Sequence, residues 1–273
     1  MAHLGLPLKK TGQQDIYSCK IGGYPVWLLT PYTDLKCVHC SEIMMLILQL
    51  YCEVQHDRIL YFFACRKSEC FFKKSFLFLR SLKERKNTSL VKDNFEIEID
   101  SECSLDDLDA LLSQKMNIAE DSKQSVFEGT AEKDFPCQAP VFFLDSVWDE
   151  KVELESCHEP IIEQPDSQWS NEVYEESSDI LFDEFCETVQ AYPNQVLRYS
   201  FQGSPLLYSN QFIPQIPNCV CGASRVFECQ LMPALVTKLG LDFSFGTILF
   251  YSCGNDCSLN SYSKEFCFVM DEI

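Results

Sequence analysis

Between residues 87 and 195 this 273-residue chain contains no arginine. Nowhere does it reach an apolar run of membrane-spanning length. The longest, "IMMLILQLY", is broken by Gln49 and falls far short of the roughly 20 residues a spanning helix needs. The first residues, "MAHLGLPLKK", carry no apolar stretch of signal-peptide length. There is no glycine-rich phosphate loop and no nucleophile–base arrangement. A soluble, cytoplasmic protein is therefore expected, with no membrane partner and no enzymatic activity.

Cysteine is plentiful: the chain has 16. In a reducing compartment paired cysteines more often hold metal than form disulfides. Charge is unevenly placed. Residues 1–86 carry 13 Lys+Arg against 7 Asp+Glu, residues 87–195 carry 5 against 28, and residues 196–273 carry 4 against 6. The middle block, net −23, resists compaction and attracts basic partners.

The pattern predicts three parts. In residues 1–86 short strands follow one another from Tyr17: "IGGYPVWL", "MMLILQLYCEV", "RILYFFAC" and "SFLFLRS". Residues 87–177 read as an acidic flexible linker with two docking islands, the leucine stripe Leu105, Leu108, Leu111, Leu112 and the aromatic run "APVFFLDSVWDE". Residues 178–273 open with a helix over "SSDILFDEFCETVQ", capped by Ser177 or Ser178, with Asp179 at its N-terminus and Pro193 beyond its end. Strand text follows in "QVLRYSF", "PLLYS", "RVFECQLMP", "TILFYSC" and "EFCFVMD", with a short helix ended by Gly240. The expected fold is mainly β with short helices (α+β): two related, pseudo-duplicated zinc-binding β-modules joined by a largely disordered acidic linker.

The duplication is read from an alignment on cysteines. Cys65 matches Cys253 and Cys40 matches Cys221; nine residues after the latter pair stand Gln49 and Gln230. Upstream, "GYP" at Gly23–Pro25 faces "GSP" at Gly203–Pro205. Each half thus holds one quartet, Cys37, Cys40, Cys65, Cys70 and Cys219, Cys221, Cys253, Cys257. Four soft thiolates on two tight turns suit tetrahedral Zn²⁺, and four protein ligands leave no open position, so both sites are read as structural. Buried reduced cysteine is the plainer alternative. Cys229 and His39 are candidate replacement ligands. Cys52, Cys229 and Cys267 lie in strand text and are expected to pack. Cys157-His158 sits in the acidic stretch, where nothing would lower the thiol pKa.

The motifs "KIGGYPVWL", "CVHC", "LILQLYCEV" and "LYFFAC", with "QVLRYSFQGSPLLYS", "CGASRVFECQLMPALV", "FGTILFYSC" and "EFCFVMDE", resemble the programmed cell death protein 2 family, and within it the programmed cell death protein 2-like branch. The resemblance covers about half the chain, residues 17–86 and 180–273. It implies a dedicated chaperone of one basic small-subunit ribosomal protein, the eukaryotic S-two protein (homologue of bacterial S-five). It further implies a role in small ribosomal subunit maturation and, in some members, shuttling between nucleus and cytoplasm.

The residues fit such a role. An acidic segment can stand in for phosphates toward a basic client, and a sheet edge can accept a client strand. The strands around Leu46–Val54 and Arg225–Met232 and the acidic helix Asp179–Val189 are the expected contacts. Phe182 and Phe185 are expected to pack that helix on the C-terminal module. The leucine stripe Leu105–Leu112 has the spacing of a nuclear export signal as well as of a docking helix. A monomer is expected. The alternative is a zinc-ribbon nucleic-acid-binding regulatory protein, using Lys73, Lys74, Arg80, Lys83, Arg85 and Lys86 interleaved with Phe71, Phe72, Phe76 and Phe78. β alternation turns those phenylalanines toward the core and the acidic block competes with polyanions, so nucleic acid is not the expected partner.

Overall fold

A computed structural model describes residues 2–8, 13–52, 56–84, 130–131, 135, 139–149 and 180–271. The leucine stripe Leu105–Leu112, Cys157-His158 and the expected cap residues Ser177 and Ser178 lie outside the described residues. Among those described, no helix is long and apolar enough to cross a membrane.

The strands are β1 (His3–Leu8), β2 (Lys20–Ile21), β3 (Val26–Trp27), β4 (Met45–Tyr51), β5 (Asp57–Ala64), β6 (Phe76–Lys83), β7 (Thr130–Ala131), β8 (Phe142–Trp148), β9 (Leu197–Tyr199), β10 (Arg225–Leu231), β11 (Thr247–Cys253), β12 (Ser261–Lys264) and β13 (Phe266–Met270). Among the described residues three short helices join them: α1 (Ser68–Phe72), α2 (Ile180–Gln190) and α3 (Ala234–Leu239). Eleven strands form one sheet in the order β12-β6-β5-β4-β2-β8-β1-β9-β10-β11-β13, and β3 pairs with β7. The fold is thus mainly β with short helices.

Strands from both halves share this sheet, and two of its central strands were not read as such from the sequence. β1 lies N-terminal to the first expected strand. β8 is the aromatic island of the acidic stretch, paired on one side with β1 and on the other with β2. Gly22 lets the chain pass close to the residues before β8. Its φ is +69°, and a Cβ there would lie 2.0 Å from the Pro140 carbonyl oxygen, so no larger residue fits. "PLLYS" forms no strand; the Gln230 side chain holds it instead, accepting from Leu206 N at 2.7 Å and donating to Leu206 O at 3.0 Å.

β12 and β13 are separated by Glu265 alone, yet they pair with β6 and β11 at opposite ends of the strand order. The sheet is therefore rolled, and one C-terminal stretch closes it. Inside the roll, β5 and β6 meet β11: Phe250 packs on Phe62 and Phe78 with ring centroids 4.9 and 4.7 Å apart. On the outer face of the N-terminal strands a second core forms around Trp27, Tyr61 and Phe63. A third forms around Phe227, Leu249 and Tyr251 on the C-terminal strands. β5 is buried on both faces by these layers, which is why "ILYFFA" shows no polar alternation.

The two hairpins β4–β5 and β10–β11 have the same register. Leu46↔Phe63 and Leu48↔Phe62 flank a bulge in one; Phe227↔Tyr251 and Cys229↔Phe250 flank a bulge in the other. The bulged residues, Ile47 and Glu228, correspond when Cys40 is set on Cys221. Gln49 and Gln230 correspond too, and each clips the residue after a Gly-x-Pro. Gln49 Oε1 accepts from Val26 N at 2.9 Å, as Gln230 does from Leu206.

Polar residues join the halves inside the roll. Arg58 lies on the same face of β5 as Leu60 and Phe62, and Arg80 on the same face of β6 as Phe78. Both guanidinium groups are fully buried. Arg58 makes a two-pronged pair with the bulged Glu228, Nη1 to Oε1 and Nη2 to Oε2 at 2.6 Å, and its Nε donates to Asp256 at 2.9 Å. Arg80 lies 3.4 Å from the same Asp256 carboxylate and donates to Glu265 at 2.8 Å. Glu265 in turn accepts from Arg225 at 2.8 Å. Three arginines alternate with three carboxylates, so the chain of charges is neutral. This settles the fate of Arg80 in the expected basic patch: it is buried and paired, and Phe71 and Phe78 are core residues, so they cannot contact nucleic acid.

Removing one member of the central pair leaves a desolvated charge behind. Arg58→Met or Glu228→Leu alone is expected to cost about 3–5 kcal/mol, and the double variant clearly less than their sum. Urea unfolding of the three variants measures this; additive losses would show that the two groups do not act as a pair.

Candidate metal centres

Each cysteine quartet is assembled from two turns at the ends of paired strands. In the N-terminal half Cys37 and Cys40 stand on the turn before β4. Cys65 ends β5, and Cys70 comes from α1, a one-turn helix where the sequence suggested only a polar turn. In the C-terminal half Cys219 and Cys221 precede β10, and Cys253 and Cys257 flank the turn after β11. The tight first turns need left-handed backbone, supplied by Ser41 (φ 61°) and Gly222 (φ 89°) directly after the second cysteine of each pair. These residues return hydrogen bonds to the first cysteine, Ser41 N to Cys37 O at 2.9 Å and Gly222 N to Cys219 O at 2.8 Å.

All four sulfur atoms of each quartet lie within 4.8 Å of one another, and among the described residues no His, Asp or Glu joins either group. Cys40 and Cys65 Sγ are 3.6 Å apart, Cys221 and Cys253 3.6 Å, Cys219 and Cys257 3.4 Å. Sulfurs about 2.3 Å from a tetrahedral zinc ion would stand roughly 3.8 Å apart. The donor sets therefore fit a metal ion with four thiolate ligands. His39 turns away, its Nε2 3.1 Å from the Lys73 carbonyl oxygen. Cys229 is buried in the core inside the roll with Cys52, and Cys267 packs against that core.

The surroundings of the thiols favour negative sulfur at one ligand per site. Burial alone would raise the Cys37 thiol. Hydrogen bonds from Ser75 Oγ at 2.9 Å and from the Cys40 and His39 N–H groups at 3.4 Å outweigh it and bring it down to about 6. At Cys257 burial is likewise outweighed, by Ser258 and the neighbouring thiols, and the value falls to about 7. Burial and crowding push Cys65 and Cys219 up to about 12. Four crowded sulfurs cannot all ionise on their own; a divalent cation between them removes that penalty.

The sites differ in what holds their second turn. At the first, "RKSE" is a surface turn, with Lys67 paired to Glu42 at 2.8 Å, both half-exposed. At the second, Asp256 of "GND" turns inward while Asn255 is exposed: Asp256 accepts from Arg58, and Arg80 donates to the Cys257 carbonyl oxygen at 3.0 Å and to its Sγ at 3.7 Å. Sequence reasoning missed these arginines and their carboxylate partners. A signal was present, since Arg58 and Glu228 interrupt otherwise apolar strand text, where a lone charge must find a partner.

Of the expected contact strands, β4 pairs with β5 along its length and with β2 at Leu48 and Gln49, and β10 pairs with β11 along its length and with β9 at Cys229–Leu231. The acidic helix is α2, with no buried residue; Phe185 packs on Tyr208 at 5.7 Å while Phe182 is 40 % exposed.

Two family models match the chain. The model described as "Programmed cell death protein 2, N-terminal domain" covers residues 6–96, and "Programmed cell death protein 2, C-terminal putative domain" covers residues 179–272. A programmed cell death protein 2-like protein of Gallus gallus is 40 % identical over 118 residues, 38 % of this chain and 31 % of the relative. Programmed cell death protein 2 of Mus musculus is 36 % identical over 107 residues, 36 % and 31 % of the two chains. A Schizosaccharomyces pombe protein named "Probable 20S rRNA accumulation protein 4" is 32 % identical over 117 residues, 36 % and 30 %. The chain spans about a third of the length of these relatives. No solved structure matches it.

Metal analysis of the purified chain is expected to give two ions. Cys40→Ser and Cys221→Ser should each remove one and leave the other, read by metal content and by the cobalt-substituted absorption spectrum. Unchanged content in the Cys221→Ser variant would rule out the second site.

Proposed function

The chain belongs to the programmed cell death protein 2 family, and we propose that it is a non-enzymatic chaperone in ribosome assembly that binds a basic protein of the small subunit. The observation that carries this reading is the relative named "Probable 20S rRNA accumulation protein 4", a name that supports a role in ribosome assembly. The client in this reading is the ribosomal protein S-two, homologue of bacterial S-five. The acidic stretch between the two halves supports a basic client. Residues 87–195, that stretch together with the acidic helix after it, carry 28 acidic and 5 basic residues and provide a long-range field that draws such a protein in and screens its charge.

In the same reading both quartets hold Zn²⁺, which contributes to folding and takes no part in chemistry. Four thiolates favour this soft, redox-inert ion, and a closed shell leaves no position for a substrate. The two halves descend from one duplicated zinc-bearing unit; their equal registers, matching bulges and matching glutamine clips support this. The protein works in the cytoplasm and shuttles to the nucleus.

Affinity purification of the tagged full chain, with and without nuclease, tests the reading. One basic small-subunit ribosomal protein should appear near one-to-one and survive nuclease. If RNA and a mixture of ribosomal proteins appear instead and nuclease removes them, the chaperone reading fails.

A further inference from the structure

The strand order leaves an opening beside β8. β2 is only two residues long and pairs with Phe142 and Phe143. Past that point Leu144 N still reaches the Cys19 carbonyl oxygen at 2.8 Å, after which the chain before β2 turns away. β8 continues to Trp148 with β1 on its other side.

Hydrogen-bond parity shows which backbone groups face the opening. Gly5 O accepts from Val196 N, so the odd residues of β1 bond toward β9 and the even ones toward β8. Asp149 N donates to Ala2 O, in keeping with this. The β8 residues bonded to β1 are therefore Phe143, Asp145 and Val147. Ser146 and Trp148 point their N–H and C=O groups away from β1, toward a side where no described strand pairs with them. Natural sheets seldom leave such an edge bare.

Under this edge lies a cavity of about 330 Å³, walled mainly by Cys19, Leu50, Leu144, Leu197 and Tyr199. That volume suits one or two apolar side chains. Asp145 lines its margin and is exposed, as are Ser146 and Trp148; Trp148 is 52 % exposed and its ring stacks on His3 at 3.5 Å. The local sequence, "DSVWDEKVELE", has five carboxylates and one lysine. Edge, cavity and charge ask for one ligand together: an extended strand with apolar side chains at alternate positions and basic ones around them.

We propose that the outer edge of β8 is a docking site for an extended, basic segment of a partner protein, which adds a strand at Ser146 and Trp148 and places an apolar side chain in the cavity below. The proposal deepens the chaperone reading, on which the identity of the partner as a client rests.

A labelled synthetic peptide, Lys-Thr-Lys-Val-Lys-Leu-Lys-Thr-Lys, titrated into the full chain is the direct test. Its Glu-for-Lys counterpart serves as control. The basic peptide should bind, slow amide exchange at Ser146 and Trp148, and quench Trp148 fluorescence; the acidic one should not. Ser146→Pro removes the outward N–H, a loss proline tolerates on an edge, and should weaken binding about tenfold or more; Ser146→Ala, which like it loses the hydroxyl 3.3 Å from His3 Nδ1 but keeps the N–H, should bind as the native chain does. Asp145→Lys, an exposed change, should weaken it as well. Equal binding by Ser146→Pro and the native chain overturns the proposal. So does protection of the Ser146 and Trp148 amides in the free monomer, which would mean the chain covers its own edge. A dimer that Ser146→Pro dissolves also overturns it, in favour of a second copy. Repeating the affinity purification with Ser146→Pro separates this proposal from the reading beneath it. A client retained by the variant as well as by the native chain sinks the edge alone. A native chain that captures no client sinks the chaperone reading, while the peptide titration still judges the edge.

Discussion

The rolled sheet can close only if the guanidinium groups of Arg58 and Arg80 are met by carboxylates inside it. Each arginine sits on an inward face of its strand, with phenylalanines as neighbours along that strand and no exposed surface. Desolvating such a group costs several kcal/mol unless its donors are matched. Every partner comes from the C-terminal half: Glu228 at the bulge of β10, Asp256 in the turn after β11, and Glu265 between β12 and β13. The apolar contacts of Phe62 and Phe78 with Phe250 would tolerate several registers of one half against the other. The charge chain tolerates one, so it specifies how the halves meet more than it adds to stability.

The same chain explains why two similar metal turns diverge. In the first the Arg66–Glu69 stretch faces solvent, and it spends its charges on a surface pair worth little. In the second the corresponding turn has no cation and carries Asp256, which receives arginines from the other half. An ion bound there fixes the turn that carries Asp256 and so helps fix the inter-half contact. An ion in the first quartet would brace the outer core around Trp27 and Cys65 and the α1 turn, whose Phe71 stacks on Phe243 of the other half.

Much of this was legible in the sequence. The cysteine spacing located both quartets, the long strand-length runs became β4, β5, β6, β10, β11 and β13, and Gly240 ends α3 in left-handed backbone. The misses have physical reasons. β1 and β12 are short and carry turn-like residues (Pro7 in one, two serines in the other), and they become strands only because longer neighbours pair with them. α1 is too short to register as periodicity. β8 was hidden by its acidic surroundings. Its strand text was read as an island, and only long-range pairing tells a docking segment from a central strand. The ion chain joins residues up to 198 positions apart, and no local pattern can encode such a pairing.

β8 also changes what the acidic stretch can do. A charged segment tethered only at its ends would spread its field evenly around the protein. Here a strand from within it, carrying the exposed Asp145, is built into the sheet between β1 and β2. Asp145 adjoins the backbone groups of Ser146 and Trp148, with which no described strand pairs, and an apolar cavity. Electrostatic attraction brings a basic chain close but cannot choose its register, whereas backbone pairing and a filled pocket can. The fold therefore puts the long-range and the short-range parts of recognition on one strand. That placement follows from β2 being too short to cover the strand beside it.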